Sequence, residues 1–243
     1  MDRAVWATWC NLPEQGRNEY FDWLHGSYIP TMLKRPGYLW AAHYASIGDG
    51  PKIPRRTSGR KITTTDPDVP AGDRFILLFG AEHSNVFGNP TPTDMHAALP
   101  AEDRKMLAMR IGERRNIFTE AARVDGPELA TYKDGMNLAP CIQMGTFQAR
   151  WQDEEEALKW YAQWRMPAMR KLKGCIRARK LASVAGWAKQ SILYEFTSLE
   201  GRNHFIAEHE DGNANREWTD KVIAALVHAP GSANVAERIW PPR

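Results

Sequence analysis

A stretch near the N-terminus recurs farther along the chain, and nothing in the sequence constrains the fold more. Residues 20–46, YFDWLHGSYIPTMLKRPGYLWAAHYAS, lie on residues 157–183, ALKWYAQWRMPAMRKLKGCIRARKLAS, after a gap-free shift of 137 positions. Trp23 meets Trp160, Pro30 meets Pro167, Met32 meets Met169, Lys34 meets Lys171, Gly37 meets Gly174 and Ala41 meets Ala178. Ala45 and Ser46 meet Ala182 and Ser183. An internal repeat of this kind sets the architecture before any single residue is interpreted.

Each copy reads as a helix, a glycine turn and a strand. In the second copy Ala157, Leu158, Tyr161, Ala168, Met169 and Leu172 recur at helical spacing, the stripe of a helix packed on one side. Pro30 and Pro167 should bend the last turn, because each lacks an N–H and its ring clashes with the preceding turn. Gly37 and Gly174 supply left-handed caps. Around these cores the pattern predicts strands over 4–12 and 74–83, an irregular segment over 84–99 and a helix from Pro100 to about Val124. That helix would carry Leu107, Ile111, Arg114, Phe118 and Ala121 on one face. The second half predicts strands over 141–150, 175–184, 191–198 and 233–240, a helix over 153–173, and a helix in two pieces split by Asp211, Gly212 and Asn213. The fold class is α+β: two ferredoxin-like βαββαβ repeats, 1–136 and 137–243, setting their sheets face to face as an intrachain barrel.

Composition narrows the function. Acids and bases are interleaved at a formal charge of +3, which is no nucleic-acid footprint. There is no apolar run long enough to span a membrane and no basic-then-apolar start, so a cytoplasmic protein is expected. Cys10, Cys141 and Cys175 are far apart and suggest neither a disulfide framework nor a metal site. Ten tryptophans call for a roomy aromatic interior. Nucleotide, P-loop, serine-hydrolase and zincin signatures are absent from the sequence. The long stretch over 47–72, with basic residues between Lys52 and Lys61, reads as a lid or as a solvated excursion.

The pattern of Trp23, Pro30, Pro36-Gly37-Tyr38 and the strand through His43-Tyr44 resembles the W…H.P…PGF…RY signature of the dimeric α/β-barrel superfamily, nearest its EthD-like branch. Where such proteins often carry His, this chain has Tyr28 and, in the second copy, Arg165. The resemblance implies a barrel with a pocket rather than one reaction, since the superfamily includes cyclases, cofactor-free monooxygenases, isomerases, lyases and haem enzymes.

Strand alternation assigns faces. Val5, Ala7, Ile142 and Met144 form one apolar side, placed against helices, which sends Trp6, Thr8, Cys10, Gln143 and Phe147 into the barrel. The other strands send Trp40, Tyr44, Arg177, Arg179, Glu82 and Glu195 inward. A pocket so lined is apolar on one side and ionic on the other, and suits a hydrophobic or aromatic small molecule with an anionic or carbonyl end. Glu195, its pKa raised by burial, is the first candidate base, with ion pairing to Arg177 or Arg179 as the structural alternative. His83 at a strand end, Tyr28 on the repeat helix and His43 are further catalytic candidates, although the parity of His43 points toward the helices. The expected activity is cofactor-independent acid–base chemistry of lyase, isomerase or cyclase type. The alternatives are a haem enzyme of chlorite-dismutase-like kind, with His204, His209 or His228 as axial ligand, a cofactor-free monooxygenase, or a non-catalytic binding module. Exposed helix backs could make a homodimer.

Overall fold

A computed structural model describes residues 1–48, 61–132, 139–207 and 215–242. The strands are β1 (Ala4–Asn11), β2 (Tyr38–Ser46), β3 (Ile62–Thr63), β4 (Phe75–Ala81), β5 (Ile111–Asp125), β6 (Cys141–Ala149), β7 (Cys175–Ala185), β8 (Gln190–Phe196), β9 (Leu226–His228) and β10 (Asn234–Trp240). Helix α1 runs through Arg17–Trp23, a π-helical turn at Leu24–Tyr28 and Ile29–Leu33; α2 is Pro92–Ala98 and α3 is Ala101–Ala108. Helix α4 runs through Trp151–Trp160, a π-helical turn at Tyr161–Arg165 and Met166–Met169; α5 is Leu199–Phe205 and α6 is Arg216–Ala224.

Eight antiparallel strands close into a barrel in the order β2-β4-β1-β5-β7-β8-β6-β10, with β10 returning to β2. Each half contributes four neighbours, β5-β1-β4-β2 and β10-β6-β8-β7, and the halves join where β5 meets β7 and β2 meets β10. Closure leaves the barrel strands no free edge. The two π-helical turns fall 137 residues apart, as the repeat does. Each stands just ahead of its proline. Where a bend was expected, the helix instead widens by one residue and continues, since proline cannot donate the regular bond. Gly37 and Gly174 take φ of 82° and 85°, the expected left-handed turns.

The predicted helix from Pro100 to Val124 is overturned. Only Ala101–Ala108 is helical, and β5 follows. Arg114, Asn116 and Phe118 are buried at a spacing of two, while the residues between them are only partly covered. Arg114 and Phe118 lie four apart, so they fit a helical stripe as well as a strand. Pairing with β1 on one side and β7 on the other decides for the strand. The segment expected to be irregular over 84–99 contains α2, started by a capping box between Thr91 and Asp94. Residues 49–60 of the 47–72 stretch, with the basic residues up to Arg60, the break at Asp211–Asn213, His209 and the boundary at 136 lie outside the described residues.

Three apolar clusters fill the molecule. One joins Trp6, Phe79, Phe87, Tyr20 and Tyr28 between the first half's sheet and its helices. A second joins Phe147, Trp160, Tyr161, Tyr194 and Phe205 in the equivalent layer of the second half. The third, with Val5, Ala7, Trp9, Trp40, Tyr44, Ile142, Met144 and Leu193, fills the barrel. The faces of β1 and β6 are therefore the reverse of the expectation: Val5, Ala7, Ile142 and Met144 point inward, while Trp6 and Phe147 pack toward helices. The period was right and the side wrong, which flips every residue of the strand. Trp40 fits inside because Gly80 faces it; a Cβ there would come within 2.0 Å of the indole.

Candidate functional site

The barrel interior carries the expected ionic residues, but as a closed network. Arg179, fully buried, donates to Asp2 at 2.9 Å and to Glu120 at 2.6 Å. Arg123 bonds the same two carboxylates at 2.9 and 2.8 Å, and the Trp40 indole N–H donates to Asp2 at 2.9 Å. Glu195 is buried with its carboxylate 3.8 Å from Arg177, which also lies 3.6 Å from Asp125. Burial raises the Glu195 pKa, with Arg177 and Arg179 opposing. Tyr44 donates to the Ala139 carbonyl at 3.1 Å. Arg179, Arg123, Asp2, Glu120 and Trp40 bond one another around an apolar plug, whereas the Glu195 Oε2 and the Arg177 Nε, buried and at ion-pair distance, have no hydrogen-bond partner among the described residues. Glu195→Gln should leave small-molecule binding by the folded protein unchanged, as titration calorimetry would read; a lost affinity would return Glu195 to the site.

The large cavity lies elsewhere, outside the barrel, between the second half's sheet and its helices, with a volume of about 870 Å³. The repeat explains why it is there. In the first half Trp6 stacks on Phe79 at 5.1 Å and meets Phe87 at 6.1 Å, filling the layer. Shifted by 137, Trp6 becomes Gln143 and Thr8 becomes Gly145. An indole is replaced by an amide and a side chain by hydrogen, and space opens. Tyr28 becomes Arg165, and Phe79, paired with Trp6 across the strands, is matched by Tyr194, paired with Gln143.

Two guanidinium groups reach into this space. Arg165, held by the π-helical turn of α4, donates from Nε to the Tyr194 hydroxyl at 2.8 Å and lies 4.2 Å from the Phe205 ring centroid. Arg202 of α5 donates from Nε to the Gln143 side-chain oxygen at 2.8 Å. They are only 3% and 5% exposed, yet both line the cavity. Phe147, Trp160, Tyr161 and Ile192 supply apolar wall. His228 of β9 closes another side, its Nδ1–H donating to the Ile62 carbonyl at 3.2 Å. Burial first, then the charge of Lys61, lowers its pKa to about 4, so the imidazole is neutral at physiological pH with a lone pair on Nε2.

Of the catalytic and substrate-binding candidates named from sequence, Gln143 lines this cavity, because it faces the helices and not the barrel; Phe147, Arg165 and His228, named there in other roles, line it too. Trp6 fills the first-half layer instead. Tyr28 is packed there too, its hydroxyl 2.8 Å from His96. His43 is buried against helix α1, 2.9 Å from His25, as its parity indicated. Glu82 and His83 are exposed beyond the end of β4, so neither enters a pocket. His204 is half-exposed near Glu200, whereas His228, read as a solvated helix residue, is a buried strand residue. The repeat alignment itself signalled Arg165, whereas the Trp6-to-Gln143 exchange shows only when the same shift is carried beyond the repeated stretch. Arg202 and His228 belong to segments outside the repeated stretch. Among the described residues, no group of three or more His, Cys, Asp or Glu is placed to hold a metal ion, and no helix is long and apolar enough to cross a membrane.

No family model and no curated protein matches the chain. Solved structures do match it. An anthrone oxidase-like protein superposes with a TM-score of 0.61 at 9% identity, over 98% of this chain and 91% of its own. A protein of Fusobacterium nucleatum subsp. nucleatum with a provisional monooxygenase assignment gives 0.59 at 8% identity, over 98% and 91%. The encapsulated DyP-type peroxidase of Mycobacterium smegmatis gives 0.55 at 11% identity, over 100% and 96%. At such identities the likeness speaks for the fold alone: this chain is an α+β protein with a dimeric α/β-barrel-type fold, closed within a single polypeptide.

Proposed function

We propose that the chain is an enzyme that binds a hydrophobic or aromatic small molecule bearing an anionic or carbonyl group, in the helix–sheet cavity of its second half, and moves a proton on it without a cofactor. The observation that carries this reading is the pair of buried guanidiniums, Arg165 and Arg202, in a cavity walled by aromatic rings. Cations on an apolar wall suit an anionic or carbonyl oxygen attached to a flat body. Neutral His228 is the candidate base, and the Tyr194 hydroxyl, polarised by Arg165, the candidate donor to a developing enolate. Proton abstraction next to a carbonyl is common to lyases, isomerases and cyclases. The halves are proposed to be duplicated ferredoxin-like repeats, 1–136 and 137–243, of EthD-like ancestry, a reading supported by the Trp23, Pro30 and Pro36-Gly37-Tyr38 pattern.

Exchange of α-protons for deuterium in a panel of aromatic ketones and keto acids, followed by NMR, tests the chemistry. Exchange should be catalysed, constant with pH above about 5, lost as His228 protonates near pH 4, and about 100-fold slower in His228→Gln. Binding without exchange would instead make the chain a binding module, and oxygen consumption would make it a monooxygenase. Arg202→Met should weaken binding of 4-methylbenzoate about 10- to 100-fold, the worth of a charged hydrogen bond.

A second reading is favoured by the Ile62 contact, which leaves the His228 Nε2 as a potential metal ligand. Haem fits the residues present: Arg165 and Arg202 would hold its propionates and His228 its iron, and the group would supply redox chemistry. A Soret band after haem supply, abolished in His228→Gln, would decide for it.

A further inference from the structure

Part of the cavity's rim comes from the first half of the chain. Lys61, just ahead of β3, and Asp73 and Arg74, just ahead of β4, all line it. The two-residue β3 is added to the sheet of the second half, parallel to β9, and the Thr64 N–H donates to the His228 carbonyl at 2.8 Å. That pairing pins the backbone beside Lys61, although its side chain is exposed. At the other place the Asn11 side-chain oxygen accepts from the Asp73 and Arg74 backbone N–H groups at 3.0 and 2.9 Å. The described lining thus sets four cations, Lys61, Arg74, Arg165 and Arg202, against the single carboxylate of Asp73. The Asp73 charge in turn acts on the buried guanidinium of Arg114.

The cations stand on different walls. Arg165 is tied to Tyr194 of β8 and Arg202 to Gln143 of β6, whereas Lys61 enters from β3. The sheet order there is β8-β6-β9-β3, so β8 and β3 are three strand spacings apart, about 14 Å. From β6, between them, Phe147 presents its ring to the cavity, parallel to that of Tyr161 within 3°. A volume of about 870 Å³ lies in the upper part of the range for sites that enclose a drug-sized molecule, well beyond a single-ring acid.

We propose that the cavity selects elongated aromatic dianions, with one anionic group on Arg165 and Arg202 and the second on Lys61 at the rim, a substrate class that rests on the anion-binding reading above. The flat body lies along the Phe147 and Tyr161 rings, and Arg74 adds to the positive rim. Long side chains at both ends shorten the distance between the walls, so two linked aromatic rings bridge it and one does not.

The test is calorimetric titration of the whole protein at neutral pH with two matched pairs of acids. Biphenyl-4,4′-dicarboxylate should bind about 5-fold tighter than 4′-methylbiphenyl-4-carboxylate, the worth of an exposed charge pair. Terephthalate, too short to reach Lys61, should gain nothing over 4-methylbenzoate. The gain of the long diacid should vanish in Lys61→Met and fade in about 1 M salt, since Lys61 is exposed. A long diacid no tighter than its monoacid, an equal gain for terephthalate, or a gain that survives in Lys61→Met overturns the proposal. If the monoacids bind and the long diacid gains nothing, the dianion class alone is lost. If none of the four acids binds, the anion-binding reading goes with it.

Discussion

Gln143→Trp should abolish binding of aromatic carboxylates, by about 100-fold or more, while the folded protein stays at least as stable. The first half has already made this substitution: Trp6 stands where Gln143 stands, stacked on Phe79, and its layer is packed. An indole at 143 would lie beside Tyr194 and occupy the space the ligand needs. Filling a void with apolar surface adds dispersion contacts, so thermal stability should hold or rise. Because the change also removes the acceptor for the Arg202 Nε, Gly145→Val provides a version that alters only volume. A Cβ at 145 would meet the Ile192 Cγ2 at 3.2 Å and Ala233 at 3.8 Å. Calorimetric titration of both variants with 4-methylbenzoate reads the outcome. Unchanged affinity in both would place the ligand somewhere other than this cavity.

Arg179→Met should cost about 3 kcal/mol of stability or more at neutral pH, because one change leaves two buried carboxylates short of a cation. Asp2 and Glu120 would keep the cation of Arg123, and Asp2 the Trp40 N–H. The pH dependence separates ionic from packing effects. Burial raises the Asp2 pKa, but Arg179 and Arg123 outweigh it and hold the group below its usual value. A carboxylate depressed in the fold stabilises above its unfolded pKa of about 3.9, and that contribution is lost as pH falls through the folded value. Without Arg179 the Asp2 pKa rises, and protonation then relieves the unpaired charge. The destabilisation in urea unfolding should therefore shrink between pH 7 and about pH 3.5. An equal loss at both values would mean that Arg179 acts through its volume and not its charge.

The duplication of helix, glycine turn and strand was legible in the chain, and so were the strand periods, the positions of Gly37 and Gly174 and the ionic inner residues Arg177, Arg179 and Glu195. The π-helical turns ahead of Pro30 and Pro167 were not, because a one-residue widening leaves no mark in apolar spacing. Strand β5 was missed because Arg114 and Phe118 satisfy both a helical and an extended period, and only the waiting edges of β1 and β7 choose between them. The cavity was misplaced for a different reason. Residues of β1 and β6 were sorted correctly into two sets, but a set of alternating side chains carries no sign saying which faces the barrel.

By itself, then, the sequence determined that a helix, glycine turn and strand would occur twice, which segments would be helix or strand within the repeat, and that Tyr28 would give way to Arg165. The tertiary structure alone decided that Val5, Ala7, Ile142 and Met144 would face the barrel and that Arg165, Arg202 and His228 would meet across a cavity. Local pattern is unchanged when the faces of a strand are exchanged; the choice falls to closure, where eight inner faces must fill one dry space together.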